Sequence, residues 1–154
     1  MRRRHDALHP LSHHHHHALV AALKLKRAGT EKSTVSISQL RDELHAFWHP
    51  GGQEHFREEE EILFPAFAEF GGLDHPEISE ALLEHVHIRS LVQQITRADD
   101  PSPSLMQKLG ATLEAHIRKE ERVIFPLIED SLPEDVLADL APYFHMNWKA
   151  PPKK

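Results

Sequence analysis

An eleven-residue pattern occurs twice in this chain, and it constrains the fold more than any other feature. Residues 55–65 return 61 positions later as residues 116–126, with six identical positions and three more that stay apolar. In each copy a histidine stands four residues before a glutamate: His55 with Glu59, and His116 with Glu120. This spacing on a helix places both side chains on one face, about 5–6 Å apart. The repeat predicts two helices that present an imidazole and a carboxylate to a shared interior.

The residues after each pair predict that this interior is apolar. Steps of three and four residues continue the inward stripe to Ile62 and Ala66 in the first copy, and to Val123 and Leu127 in the second. A buried carboxylate costs several kcal/mol unless it is neutralised, and no Lys or Arg shares these stripes. The glutamates must therefore be protonated, paired with a distant cation, or bound to metal. Imidazole and carboxylate are donors for iron, zinc and manganese.

Helical periodicity and stop signals predict four long helices, over about residues 12–29, 36–70, 74–98 and 104–130. The run His49-Pro50-Gly51-Gly52 is expected to kink the second helix just before His55. With short connections, the pattern predicts an all-α fold, an up-down-up-down four-helix bundle. A single domain is expected over residues 1–154, with its core at about 12–130. A C-terminal extension, 131–154, would carry a short fifth helix over about 133–143.

The first and third helices also place histidines on their apolar stripes. In the third helix His85 shares a face with Ile78 and Val92, whereas His87 points nearly opposite and is expected to be exposed. The first helix carries five consecutive histidines, residues 13–17. Among them His16 precedes Leu19, Val20 and Leu23 by three, four and seven residues, so it is the expected inward residue, with His13 or His17 as alternatives.

Other charged residues near the pairs have simpler interpretations. Four glutamates are expected to form a solvated helix face: Glu58, Glu60, Glu61 and Glu121. Arg89, on the third helix, could neutralise one of the inward glutamates from across the bundle. That arrangement would make the chain a metal-free structural or interaction bundle, which is the main alternative to a metal protein.

Composition excludes several classes of function. The chain has no cysteine, which excludes disulfides, iron–sulfur clusters and thiol nucleophiles. Its net charge of -6 gives no whole-chain electrostatic reason to bind nucleic acid. No apolar run approaches the ~18–20 residues that span a bilayer, and no apolar segment follows the basic start, so a cytoplasmic protein without membrane contact is expected.

The order of these motifs resembles the hemerythrin-like, or HHE cation-binding, domain. The resemblance covers roughly residues 12–130 and rests on a histidine in the first and third helices and His-x-x-x-Glu in the second and fourth. It implies a four-helix bundle that holds two iron ions with an oxo or hydroxo bridge. It also implies a ligand set: terminal His16, His55, His85 and His116, with bridging Glu59 and Glu120.

The third helix departs from the oxygen-carrying members of that family. They present two histidines four residues apart, whereas His85 is followed at that spacing by Arg89 and preceded by Ala81. One iron would therefore have one histidine ligand fewer and a more open coordination position. Such a position favours chemistry or sensing over simple oxygen carriage. The expected function is to bind or sense O₂, nitric oxide or peroxide, or to handle iron, as a monomer or homodimer. The enzyme alternative is peroxide decomposition or iron-centre repair, and manganese or zinc would also fit the ligands.

Overall fold

A computed structural model describes residues 3–144, and within them the chain is helical with no β-strand. The five helices are α1 (His9–Lys26), α2 (37–71), α3 (Pro76–Arg97), α4 (103–131) and α5 (Glu134–Leu140). Short 3₁₀ turns precede α1 at Asp6–Leu8 and follow α5 at Ala141–Tyr143. The all-α prediction is confirmed, whereas the up-down-up-down order of the helices stays a prediction. The end of the expected extension, 145–154, lies outside the described residues.

Helix ends lie close to the positions expected from the sequence except in α1, which begins and ends earlier than expected. Ser36 caps α2, where its hydroxyl oxygen accepts a hydrogen bond from the Gln39 amide at 3.1 Å. However, α1 begins at His9 rather than at Ser12, and Pro10 lies in its first turn, where the missing amide costs nothing. The Ser12 hydroxyl instead donates to Glu121 Oε2 at 2.7 Å.

The kink expected in α2 is present. Trp48–Gly52 forms a wide turn in which His49 leaves the helical region, with φ of -110° and ψ of 108°. Regular helix resumes at Gln53, less than one turn before His55. The interruption therefore sets the direction from which the first repeat enters the core.

A second irregularity occurs in both copies of the repeat. Glu59–Leu63 and Glu120–Ile124 are π-helical turns, each beginning at the inward glutamate. The Phe64 amide donates to the Glu59 carbonyl five residues back, and the second copy repeats this bond. The proline that follows each phenylalanine lacks an amide and would clash with the carbonyl four residues earlier, so the wider turn accommodates it.

The π turns move the buried face by one residue, and the predicted stripe was wrong there. In α4 Ile124 is fully buried, whereas the expected Val123 is 46% exposed. In α2 Leu63 is buried more deeply than the expected Ile62. The same shift persists one turn later: Phe67 replaces Ala66, and Ile128 replaces Leu127. A π turn inserts one residue into the helix, so every later inward position follows one step further along the chain.

Two apolar clusters enclose a polar layer. One cluster contains residues from all four long helices, among them Ala18, Phe56, Ile88 and Ile117. The second cluster also contains residues from all four, among them Leu11, Leu63, Ala81 and Ile124. In each of these four helices a buried histidine or glutamate lies between these two levels. The apolar core also continues past the expected limits of 12 and 130, since it includes Ala7 and Phe144.

Among the described residues, no helix has the combination of length and apolar character that crossing a membrane requires.

Close packing of α1 against α4 depends on Gly110. A Cβ at this position would lie 2.6 Å from the Ala22 carbonyl oxygen and 2.8 Å from the Lys26 amide nitrogen. We expect Gly110→Ala to lower the free energy of unfolding by about 1–3 kcal/mol, because the helices must separate. At an open helical site the same change would stabilise by ~0.5–1 kcal/mol. Chemical denaturation measures the change, with the exposed neighbour Ala111→Ser as the control. A raised midpoint for Gly110→Ala would contradict the packing argument.

Candidate metal centre

Six histidine and glutamate side chains from four helices meet in the polar layer. Each of these residues is at most 4% exposed: His15, His55, Glu59, His85, His116 and Glu120. Five of the six were expected from the sequence. The structure brings these five together, and only the contribution of α1 differs.

The expected first-helix residue, His16, lies on the exposed face of α1, as do its alternatives His13 and His17. His15 occupies the inward position instead. The reason lies in the packing of α1, whose buried face runs through small residues, Ala18 and Ala22, against α4. The larger side chains that suggested the stripe face outward, with Val20 57% and Leu23 44% exposed. An inward face inferred from the large apolar side chains alone therefore pointed to His16, one residue away from the buried His15.

The two inward glutamates lie between the imidazoles. Glu59 lies 3.0 Å from His55 Nε2 through one carboxylate oxygen and 3.0 Å from His85 Nε2 through the other. Glu120 lies 3.1 Å from His15 Nε2 and 3.5 Å from His116 Nε2. Within the described part of the chain, every ion pair of these two carboxylates is with a histidine.

The buried carboxylates favour protonated imidazoles in the metal-free chain. Burial lowers the pKa of His55, but the charges of Glu59 and Glu120 outweigh it and raise this pKa to about 10. Burial likewise lowers the pKa of His85, and the adjacent carboxylates of Glu59 and Glu60 raise it to about 9. The pKa of Glu120 is held well below its usual range, since nearby imidazoles offset its burial.

A second set of carboxylates forms hydrogen bonds with three of the imidazoles, at the ring nitrogen that faces away from the cluster. The contacts join Nδ1 to a glutamate oxygen: His15 to Glu121 at 2.7 Å, His85 to Glu60 at 2.7 Å, and His116 to Glu84 at 2.6 Å. An ionised carboxylate only accepts, so each Nδ1–H donates and each Nε2 is directed into the cluster. Carboxylate support of this kind fixes the tautomer and orientation of metal-binding histidines.

These supporting glutamates were missed at the sequence level. Glu60 and Glu121 were expected to be solvated, and the structure shows that this was wrong. The available signal was the pair of adjacent glutamates that both copies keep, in which the first faces inward and the second reaches a neighbouring helix. Glu61 is solvated as expected, with its side chain 60% exposed beside Arg57, whereas Glu58 is buried. Nothing in the sequence marked Glu84.

Arg89 does not neutralise the inward carboxylates. Its Nη2 lies 3.1–3.2 Å from both oxygens of Glu60, and its guanidinium lies over the rings of Trp48 and Phe56 at 5.7 and 5.6 Å. Arg89 therefore steadies the carboxylate that holds His85. His87, expected to be exposed, is exposed.

The donor atoms fit a bound cation. Among the described residues, four atoms that face the interior of the cluster make no hydrogen bond: Glu59 Oε1, Glu120 Oε2, His85 Nε2 and His116 Nε2. His85 Nε2 is close to Glu59 Oε1, but the approach is not along a hydrogen-bond direction. Buried polar atoms of this kind are costly unless something else binds their lone pairs.

The donors also divide into two overlapping sets. One set contains His15 and His55 with both inward glutamates, and the other contains His85 and His116 with the same glutamates. Within each set one ligand atom per residue lies within 4.8 Å of all the others. The two sets share Glu59 and Glu120, so carboxylates stand between two candidate metal positions.

Comparison with known proteins identifies the class. The sequence model of the hemerythrin HHE cation-binding domain matches residues 6–128, most of the chain. The chain therefore belongs to the hemerythrin HHE cation-binding family, and cation binding is the property that this membership implies. No significant match was found among curated proteins or among solved structures.

Proposed function

We propose that this chain holds two iron ions in its polar layer and there binds or senses O₂, nitric oxide or peroxide. The observation that carries the proposal is the pair of buried four-residue donor sets that share Glu59 and Glu120. His15 and His55 would serve one ion, and His85 and His116 the other. His15 would take the role that the sequence suggested for His16.

The charges of the cluster suit two divalent ions if an anionic ligand accompanies them. Two such ions carry four positive charges, and the two inward glutamates offset two of them, while neutral imidazoles add none. A low-dielectric core favours a nearly neutral site. The remaining positive charge would favour an anionic or readily reduced ligand.

The chain's own residues would control what reaches the metals. Two bound irons would be able to supply electrons to O₂ or peroxide and to bind nitric oxide. A narrow cavity of about 10 Å³ lies beside His15 and His55, walled by Phe47, Trp48 and Phe56. A space of this size holds about one water-sized molecule at most, so it excludes bulky substrates. The size of the cavity favours a very small ligand over a bulky substrate.

The first test is metal content per chain in protein purified without a nickel column, with an ultraviolet–visible spectrum in air. Two irons and near-ultraviolet absorption of ferric iron are the expected result. A single metal, or zinc alone, would keep the bundle and contradict the redox role. No metal after anaerobic reconstitution would contradict metal binding itself, and would leave a structural network of imidazolium and carboxylate groups.

The supporting carboxylates offer a matched pair of variants. Lys119 Nζ contacts both Glu80, at 3.0 Å, and Glu84, at 3.2 Å, but only Glu84 also holds His116. We expect Glu84→Gln to lower metal affinity about 10–100-fold, because the His116 ring loses its charged support. Glu80→Gln also removes one negative charge beside Lys119, but it does not touch His116. It should therefore leave metal affinity unchanged. Competition with a chelator measures both, and equal effects of the two variants would argue against a role for Glu84 in metal binding.

A further inference from the structure

The candidate ligands are buried, so a metal ion needs a route from solvent. Four more imidazoles lie on α1 beside this centre. His13, His16 and His17 are exposed, whereas His14 is 3% exposed and lies between this surface and the cluster. Together they form a ring-to-ring connection between solvent and the buried donors.

The outer part of this connection is a pair of histidines four residues apart. The ring centroids of His13 and His17 are 5.8 Å apart, and the His16 ring is 6.1 Å from that of His13. Exposed imidazoles at this helical spacing project from one face and can both donate to one transition-metal ion, with water completing the coordination.

The inner part connects this pair to the centre. The ring of His14 is 6.3 Å from that of His17 and 4.9 Å from that of His55. It stacks on Phe47 at 5.5 Å, which fixes its plane beside the narrow cavity. From the exposed His17 through His14 to the buried His55, each ring centroid is therefore 4.9–6.3 Å from the next.

We propose that the exposed His13–His17 pair is a capture site for divalent transition-metal ions, and that His14 passes them to the buried centre. This inference rests on the proposed function, since it supplies metal to that centre. Losing all bound water at once is costly for an ion, whereas exchanging one water at a time for an imidazole nitrogen spreads the cost. The inward carboxylates Glu59 and Glu120 attract the cation at the inner end.

The test is the rate of metal loading. Metal-free protein is mixed anaerobically with limiting Fe²⁺, samples are quenched with excess chelator and desalted, and retained iron is measured over time. Surface-bound iron is stripped at once, so the retained iron reports the buried centre. We expect His13→Ala/His17→Ala to load about tenfold more slowly than the natural chain, because the local metal concentration at the entrance falls. The final iron content should be unchanged.

The chain provides a matched control. His45 and His49 are also exposed, also four residues apart, and have ring centroids 4.6 Å apart, but they lie on α2. His45→Ala/His49→Ala should load at the natural rate. Equal rates for the His13→Ala/His17→Ala variant and the natural chain, or equal slowing in both variants, would overturn the capture site alone. A natural chain that retains no iron would overturn the proposed function as well.

Discussion

Replacing Glu120 by glutamine is expected to abolish loading of the second metal and to destabilise the metal-free protein. Glu120 belongs to both donor sets, so the substitution removes a charged ligand from both positions at once. Its carboxylate also lies within 3.5 Å of His15 and His116. Without it, buried imidazolium groups keep only Glu59 as an inward counter-charge.

The expected cost follows from the burial of these charges. Removing one partner from a buried ion pair typically destabilises a protein by about 3–5 kcal/mol, because the other charge stays desolvated. We therefore expect a loss of this size in the free energy of unfolding of metal-free Glu120→Gln. Metal content should fall from two ions per chain to one or none.

A surface glutamate in the other copy of the repeat is the control. Glu61 is 60% exposed through its side chain and pairs with Arg57, so Glu61→Gln should change stability by no more than about 0.5 kcal/mol and leave metal content unchanged. Denaturant titration and elemental analysis measure both variants. Full metal content in Glu120→Gln would refute the shared-carboxylate arrangement.

The sequence was sufficient for the inward residues that belong to regular helical spacing. His55 with Glu59, and His116 with Glu120, stand one turn apart on helices, and the structure places all four in the cluster. His85 was found in the same way. These positions depend on local geometry alone, which a repeated pattern reports directly.

Positions beyond the π turns needed information that periodicity lacks. A stripe drawn at 3.6 residues per turn continues past Glu120 to Val123, whereas the π turn buries Ile124. The phenylalanine–proline pair after each turn was visible in the sequence and carried the signal. The repeat of the same irregularity in both copies shows that it belongs to the motif.

Residues that act between helices were the least predictable. His15 was missed because α1 approaches α4 through alanines, so its apolar residues do not mark the buried face. Glu60, Glu84 and Glu121 each reach a histidine on a neighbouring helix, and no spacing within one helix reports such a contact. Tertiary packing decides these roles.

Metal affinity is expected to rise steeply with pH, because the metal must displace protons. In the metal-free chain the pKa of His55 is about 10 and that of His85 about 9, so both imidazoles carry a proton between pH 6 and 8. A metal ion binds only the neutral imidazole. Loading the centre therefore releases at least two protons, and the combined apparent affinity should increase about 100-fold per pH unit over this range.

The same shifts give the opposite sign for the metal-free fold. Both pKa values are raised from 6.5, so the charged imidazoles stabilise the metal-free protein fully below pH 6.5. That contribution is lost as pH rises through about 9 and then about 10. The free energy of unfolding of the metal-free protein should therefore fall at alkaline pH. That of the metal-loaded protein should rise there, because the metal binds more tightly.

Calorimetric titration with Mn²⁺ in two buffers of different ionisation enthalpy would count the released protons. We expect two or more per chain at pH 7, and the exposed His87→Ala variant should release the same number because its ring lies outside the cluster. Release of no protons, with affinity independent of pH, would mean that His55 and His85 are not ligands. Proton release with the expected slope would link metal uptake to the imidazole and carboxylate network, because the raised pKa values of His55 and His85 keep both rings protonated at neutral pH until a metal ion displaces those protons.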